Sequence, residues 1–227
     1  MGKGSSEQTR RLLLETALEM LFEQGPYVGV THIRLSDVVT RASFTTGAAY
    51  RVWVNQDAFH RDLAVEAVRW KEKGTIDDTV AAIHASVDAG LPAAEMYRVG
   101  AAANLRMLPG DVAFLTSLAL RMAAPADKEL QEASHERHES AMDEFVSLYT
   151  ALLDRYDRRM RAPYTVRHLA MTLAALSEGF AIQGLSDVAH PIVDRHDVEP
   201  GVGREWTLFG CAAQAIVEGL TEPRADS

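Results

Sequence analysis

Cysteine occurs once in the 227 residues, at Cys211, which excludes an intrachain disulfide and a cysteine-based zinc site and fits a reducing cytosol. Prolines number 8, and most fall where segments end, as a mainly helical chain places them. No apolar run approaches the roughly 20 residues that span a membrane. The first residues, MGKGSSEQTRR, are polar with no apolar core, so no secretory leader is expected there and the chain is expected in the cytoplasm. Gly-x-Ser-x-Gly, His-Glu-x-x-His and a phosphate-cradling glycine loop are all missing, so nothing points to an enzyme or to a cofactor. Strand-like alternation is also lacking, and so is any internal repeat.

What is present is apolar residue at helical spacing. Hydrophobic residues make up 47% of the chain, enough for a large packed core. The formal net charge of −9 argues against a nucleic-acid partner until its distribution is read. Residues 1–53 carry six cations (Lys3, Arg10, Arg11, Arg34, Arg41 and Arg51) against five acids, a net of +1, which leaves −10 for the rest. A near-neutral head on an acidic body is compatible with DNA binding if the cations share a face.

The periodicity predicts a first helix from Thr9 to Gln24, with Leu13, Leu14, Ala17, Leu18, Leu21 and Phe22 inward and a stop at Gly25-Pro26. Residues 1–8 read as disordered. Asn55 is placed to cap a helix from Gln56 to Lys73, closed by Gly74. Further helices are expected over 75–89, 92–107, 111–123, 125–159, 165–185 and 205–220, with a loop over 186–203. The fold class is all-α.

The stretch LSDVVTRASFTTGAAYRVW, Leu35 to Trp53, reads as two short helices joined through Ser43 and Phe44. Thr45 has the chemistry of an N-cap for the second, predicted over 46–53. Its inner side is Ala49 with Val52 or Trp53, and its outer side, Thr46, Gly47, Ala48, Tyr50 and Arg51, is small and hydroxylated and carries one long cation. Such a surface can approach a phosphate backbone and place donors in a major groove.

At these residues the chain resembles the TetR family of bacterial transcriptional regulators. The matching positions are Val38-Val39, Ala42-Ser43-Phe44-Thr45, Gly47-Ala48-Ala49-Tyr50 and Trp53. Ser43 stands where the family has a turn glycine, and Gln56 where it has a phosphate-holding lysine. The resemblance implies a helix-turn-helix head over 1–55, a connecting helix over 56–73 and a ligand-binding and dimerisation domain over 74–227. It also implies a homodimer that represses transcription from a near-palindromic double-stranded DNA operator. The residues expected at DNA are Arg34, Thr45, Thr46, Gly47, Ala48, Ala49, Tyr50, Arg51 and Gln56. Arg10 and Arg11 are either phosphate contacts or solvated. An alternative is a TetR-like binding protein with weak or lost DNA binding, motivated by Ser43, Gln56 and the acidic balance.

Methionines and aromatics cluster on the body helices with a few polar groups among them, the make-up of a small-molecule cavity. The expected lining is Trp70, His84, Tyr97, Asn104, Met107, Phe114, Met122, Phe145, Tyr149 and Phe180, and the expected effector is a small apolar or aromatic molecule. Trp70 has a competing reading as a packing residue between domains. His135 and His138, and the loop trio His190, Asp194 and His196, read as solvated rather than metal-binding. The last two helices, with Leu169, Leu173, Leu176, Phe180 and Leu185 on one and Trp206, Phe209, Ala213, Ile216 and Val217 on the other, read as the dimer seam.

Overall fold

The structure is a computed structural model, and it describes residues 3–25, 29–70, 75–123, 127–186 and 188–224. Its chain forms ten described helices and divides into two compact units. The first comprises Met1–Glu72 and Val112–His138, and the second Lys73–Asp111 and Glu139–Ser227.

In the first unit α1 spans Lys3–Gln24. It begins six residues before the expected Thr9, because the polar Ser and Glu of the leading segment can continue a helix that a core already anchors downstream. Leu13, Leu14, Ala17, Leu18 and Leu21 are all buried, and Gly25 closes the helix at φ +85°. Pro26 lies outside the described residues. Helix α2 (Leu35–Arg41) buries Leu35, Val38 and Val39. The chain then turns at Ser43, which takes φ +57°, a left-handed conformation that a side chain resists. Replacing Ser43 with Gly is therefore expected to stabilise the protein by about 1 kcal/mol, read as a shifted denaturant midpoint.

Helix α3 is shorter than expected, Thr46–Ala49 rather than 46–53. Its turns continue only as far as the Ala49 carbonyl, which accepts from Val52 and Trp53. Beyond it the Trp53 indole is drawn inward and donates to Asp62 Oδ2 at 2.7 Å. Thr45 caps α3, accepting from the Ala48 amide at 3.2 Å. Asn55 caps α4 (Gln56–Arg69) in the same way at 2.8 Å. Helix α4 stops before the expected Lys73, because Trp70 is extended and Arg137 donates to the carbonyls of Val68 and Trp70. Lys73 and Gly74 lie outside the described residues.

Two later elements complete this unit. Helix α7 (Val112–Ala123) packs on α4, and the start of α8 (Lys128–Arg155) follows it. Leu120, Leu130 and Ala133 are buried in one core with Leu13, Phe59, Leu63 and Val68. The linear division expected from sequence places these later residues with the body.

The second unit holds α5 (Thr75–Asp88), α6 (Ala93–Met107), the remainder of α8, α9 (Val166–Leu185) and α10 (Leu208–Leu220). Helices α5 and α6 approach closely at Gly100, where an added Cβ would lie 2.8 Å from Ile83 Cγ1. Thr165 and His168 cap α9 reciprocally, each side chain accepting from the other's amide. Buried Glu95 accepts from Arg98 and from the Gly203 amide at 2.9 Å, which fastens a loop to α6.

This unit also contains strands, contrary to the sequence expectation. β1 (Arg158–Met160) pairs antiparallel with β4 (Thr221–Pro223), and β2 (Ile192–Asp194) with β3 (Glu205–Thr207). They cut the expected ends of α8 and α10 back to Arg155 and Leu208. Each strand is three residues long, too short for alternation to register as a pattern.

Candidate nucleic-acid interface and ligand cavity

The outer face of the helix-turn-helix presents Thr45, Thr46, Gly47, Tyr50 and Arg51 to solvent, with Tyr50 57% exposed. Ala48 is partly covered. Arg34, at the N-cap of α2, is also exposed. Two of the expected DNA residues lie inward instead. Ala49 is fully buried, since it is the position of the short α3 that meets the core. Gln56 is occupied: its Oε1 accepts from the Leu35 amide at 3.0 Å, and its Nε2 lies 2.9 Å from the Ile33 carbonyl and 2.7 Å from His60 Nε2. Where a lysine would reach outward, this side chain joins the start of α4 to the start of α2.

The head's cations sort by their partners. Arg10 Nε donates to Asp62 at 2.9 Å, so it is not free for phosphate. Arg11 lies 3.6 Å from Glu15. Arg41 is doubly bonded to Glu23 at 2.5 and 2.6 Å. Among the described residues neither Arg34 nor Arg51 has an ion-pair partner. The two unpaired guanidinium groups thus belong to the first residue of the helix-turn-helix and to the residue just beyond α3.

The second unit holds a half-open cavity of about 150 Å³. Tyr97, Asn104, Phe145 and Tyr149 line it, all four expected from sequence. Phe145 and Tyr149 stack at 6.1 Å between ring centroids. Asn104 Oδ1 accepts from Ser177 at 3.0 Å. Burial pushes the Tyr97 and Tyr149 hydroxyls up to about 12. Both phenols are therefore neutral donors at any physiological pH.

Sequence reasoning missed other walls. Ile83 and Leu173 present ordinary apolar side chains that no composition signal distinguishes from core, and Arg158 comes from a strand too short to be read. The remaining expected residues are not part of this lining. His84 is exposed on α5, and Met107 is partly buried outside the lining. Phe180 packs on Phe209 at 5.3 Å and on His190 at 4.9 Å. Trp70, Phe114 and Met122 belong to the first unit. There Trp70 packs on Phe22 at 5.8 Å, and Met122 is 69% exposed.

No family model matches this sequence, and no curated protein does. Solved structures do resemble the fold. A transcriptional regulator of the TetR family from Cytophaga hutchinsonii is 18% identical, with a TM-score of 0.48 over 81% of this chain and 86% of that one. A proposed transcriptional regulator from Pseudomonas aeruginosa is 15% identical, with a TM-score of 0.48 over 94% of this chain and 90% of that one. A proposed TetR-family regulator from Syntrophomonas wolfei is 11% identical, with a TM-score of 0.43 over 81% and 87%. At such scores and identities the likeness adds no weight to the geometry above. Among the described residues no helix is long and apolar enough to cross a membrane, and no three His, Cys, Asp or Glu side chains are grouped to hold a metal ion.

Proposed function

We propose that this chain is a ligand-responsive transcriptional regulator of the TetR type, a repressor that binds a near-palindromic operator as a homodimer and is released by a small, mostly apolar molecule. The observation that carries the reading is the exposed helix-turn-helix face with the unpaired Arg34 and Arg51 in a chain of net charge −9. Helix α3 enters a major groove. Thr45, Tyr50 and Arg34 suit phosphate, Ala48 suits a thymine methyl, and Arg51 suits a base edge or a phosphate. Arg51→Ala is expected to weaken operator binding by about 1–3 kcal/mol in a gel-shift titration at fixed salt. Unchanged affinity removes Arg51 from the interface.

Two-fold pairing supports the palindrome, with half-sites about one helical turn or more apart. A stripe of exposed small and apolar residues on α9 favours it: Met171, Ala175, Gly179, Ile182 and Leu185. Leu208, Ala215 and Gly219 of α10 are exposed as well. Leu169 and Leu173, expected in the seam, are buried against Val217 within the subunit. A carboxylate placed on that stripe would be buried unpaired, so Ala175→Glu should weaken dimerisation about 100-fold or more. Light scattering behind a sizing column reads the mass, and an unaltered dimer would move the seam elsewhere.

Ligand in the cavity acts by population shift, favouring a conformation in which the two heads no longer match the groove spacing. The internal commitment of Gln56 favours a second reading, a ligand-binding protein with weak or lost DNA binding. Salt separates the two. A true reader binds duplex with an affinity that falls steeply as salt rises, whereas the second reading predicts no such binding.

A further inference from the structure

We propose that the cavity of the second unit takes a small monocarboxylate, a single ring or short chain whose carboxylate pairs with Arg158 beside Tyr97. This rests on the ligand-responsive reading and narrows it from an apolar molecule to an amphipathic anion. Size sets the first limit. A void of about 150 Å³ is of the volume that admits one benzene ring. Apolar side chains, among them Ile83, Phe145 and Leu173, make most of the wall and suit the hydrocarbon part.

Charge sets the second limit. Arg158 lines the same cavity and is half-buried. Its Nε donates to Thr221 Oγ1 at 2.8 Å and its Nη2 to the Thr221 carbonyl at 3.3 Å, both neutral acceptors. Three other arginines of this unit have carboxylates: Arg159 has Glu222 at 2.8 Å, Arg98 has Glu95 at 2.6 Å, and Arg167 has Glu139 at 2.6 Å; Arg161 shares the Thr221 carbonyl at 3.1 Å but is not part of the cavity wall. Arg158 has no ion-pair partner among the described residues, and its Nη1 meets no acceptor there. Glu218 is exposed, accepts from Gln214 at 2.7 Å and forms no ion pair with Arg158. The wall therefore holds one guanidinium with no carboxylate partner beside largely apolar side chains. A ligand carboxylate supplies the missing partner in the planar geometry that an Arg fork suits. Tyr97 stays protonated and donates to the anion rather than repelling it. Among the described residues Arg158 is the one charged residue of the lining, and one cation there balances one negative charge, which disfavours a phosphate dianion.

Calorimetric titration of the full-length protein with benzoate, phenylacetate and hexanoate, each beside its primary amide, tests the assignment. At least one acid should bind with its amide about tenfold weaker or more, as for loss of one charge-assisted hydrogen-bonded pair. Arg158→Met should lower the affinity for that acid by a similar factor and leave the amide unchanged, while Arg158→Lys should retain most of the preference. The acid-to-amide comparison on the unaltered protein decides the matter even where Arg158→Met fails to fold. No binding by any of the three acids, amides that bind as tightly, or an Arg158→Met protein with an unchanged preference overturns it. The titration needs no DNA. An acid that binds without releasing operator leaves the assignment standing and sinks the regulator reading; an amide that binds and releases operator as well as its acid does the reverse.

Discussion

Raising the pH from 10 to 12 should cost the fold about 5 kcal/mol, through two side chains. Tyr97 and Tyr149 are both partly buried on the cavity wall and both held at about 12, against an ordinary value of 10.0. Desolvation of the phenolate is the leading cause for each. The unfolded chain gives up each proton from about pH 10 upward, whereas the folded chain holds it for roughly two units longer. Over that window the unfolded state binds fewer protons than the native state, so stability falls as pH rises. Two units at 1.36 kcal/mol per unit come to about 2.7 kcal/mol for each residue. Denaturant unfolding across the alkaline range, with tyrosinate absorbance followed in parallel, checks this. The Tyr97→Phe/Tyr149→Phe protein should show a much flatter profile. A single titration of all tyrosines near 10 in a folded sample would mean that the cavity is wet and open.

Asp62→Ala should destabilise the protein by about 3 kcal/mol, because one carboxylate oxygen serves two buried or half-buried donors. Asp62 Oδ2 accepts from the Trp53 indole at 2.7 Å and from Arg10 Nε at 2.9 Å. Trp53 is 3% exposed, so no water replaces the lost acceptor. Arg10 is left with Glu7 at 3.5 Å and Glu66 at 4.0 Å, both looser contacts. Trp53 also ends the segment that presents Tyr50 and Arg51, so under the proposed function operator affinity should fall with stability. Asp62→Asn keeps an acceptor for the indole and should lose about 1 kcal/mol. Chemical denaturation of both variants gives the comparison, and equal small losses would show that water has access to the indole.

Repeated, periodic features of this chain are readable from residues alone. The stripe from Leu13 to Leu21 recurs over several turns, so it locates α1 and its buried side. The caps Thr45 and Asn55 are readable because their function is local and chemical. Ala49 reads as an inward position of the short helix and is buried, which conflicts only with its place among the residues expected at DNA. The bonds of Gln56 are not readable: two of its three partners, the Ile33 carbonyl and the Leu35 amide, lie 23 and 21 residues earlier, a separation that no pattern spans. The cavity divides the same way. Tyr149 and Phe145 sit four apart on one helix and declare a common face, whereas Phe114 and Met122 look equally suitable and belong to the other unit. Arg158 is invisible until β1 and β4 are seen to pair.

The insertion of α7 and the opening of α8 among the first four helices bears on how such a protein can be re-engineered. Splicing residues 1–72 onto a foreign body would leave Leu63 and Val68 without Leu120, Leu130 and Ala133, and would strand those three as well. Under the proposed function, operator specificity therefore cannot be transplanted as one contiguous cassette: a working hybrid must carry 112–138 along, as a second graft.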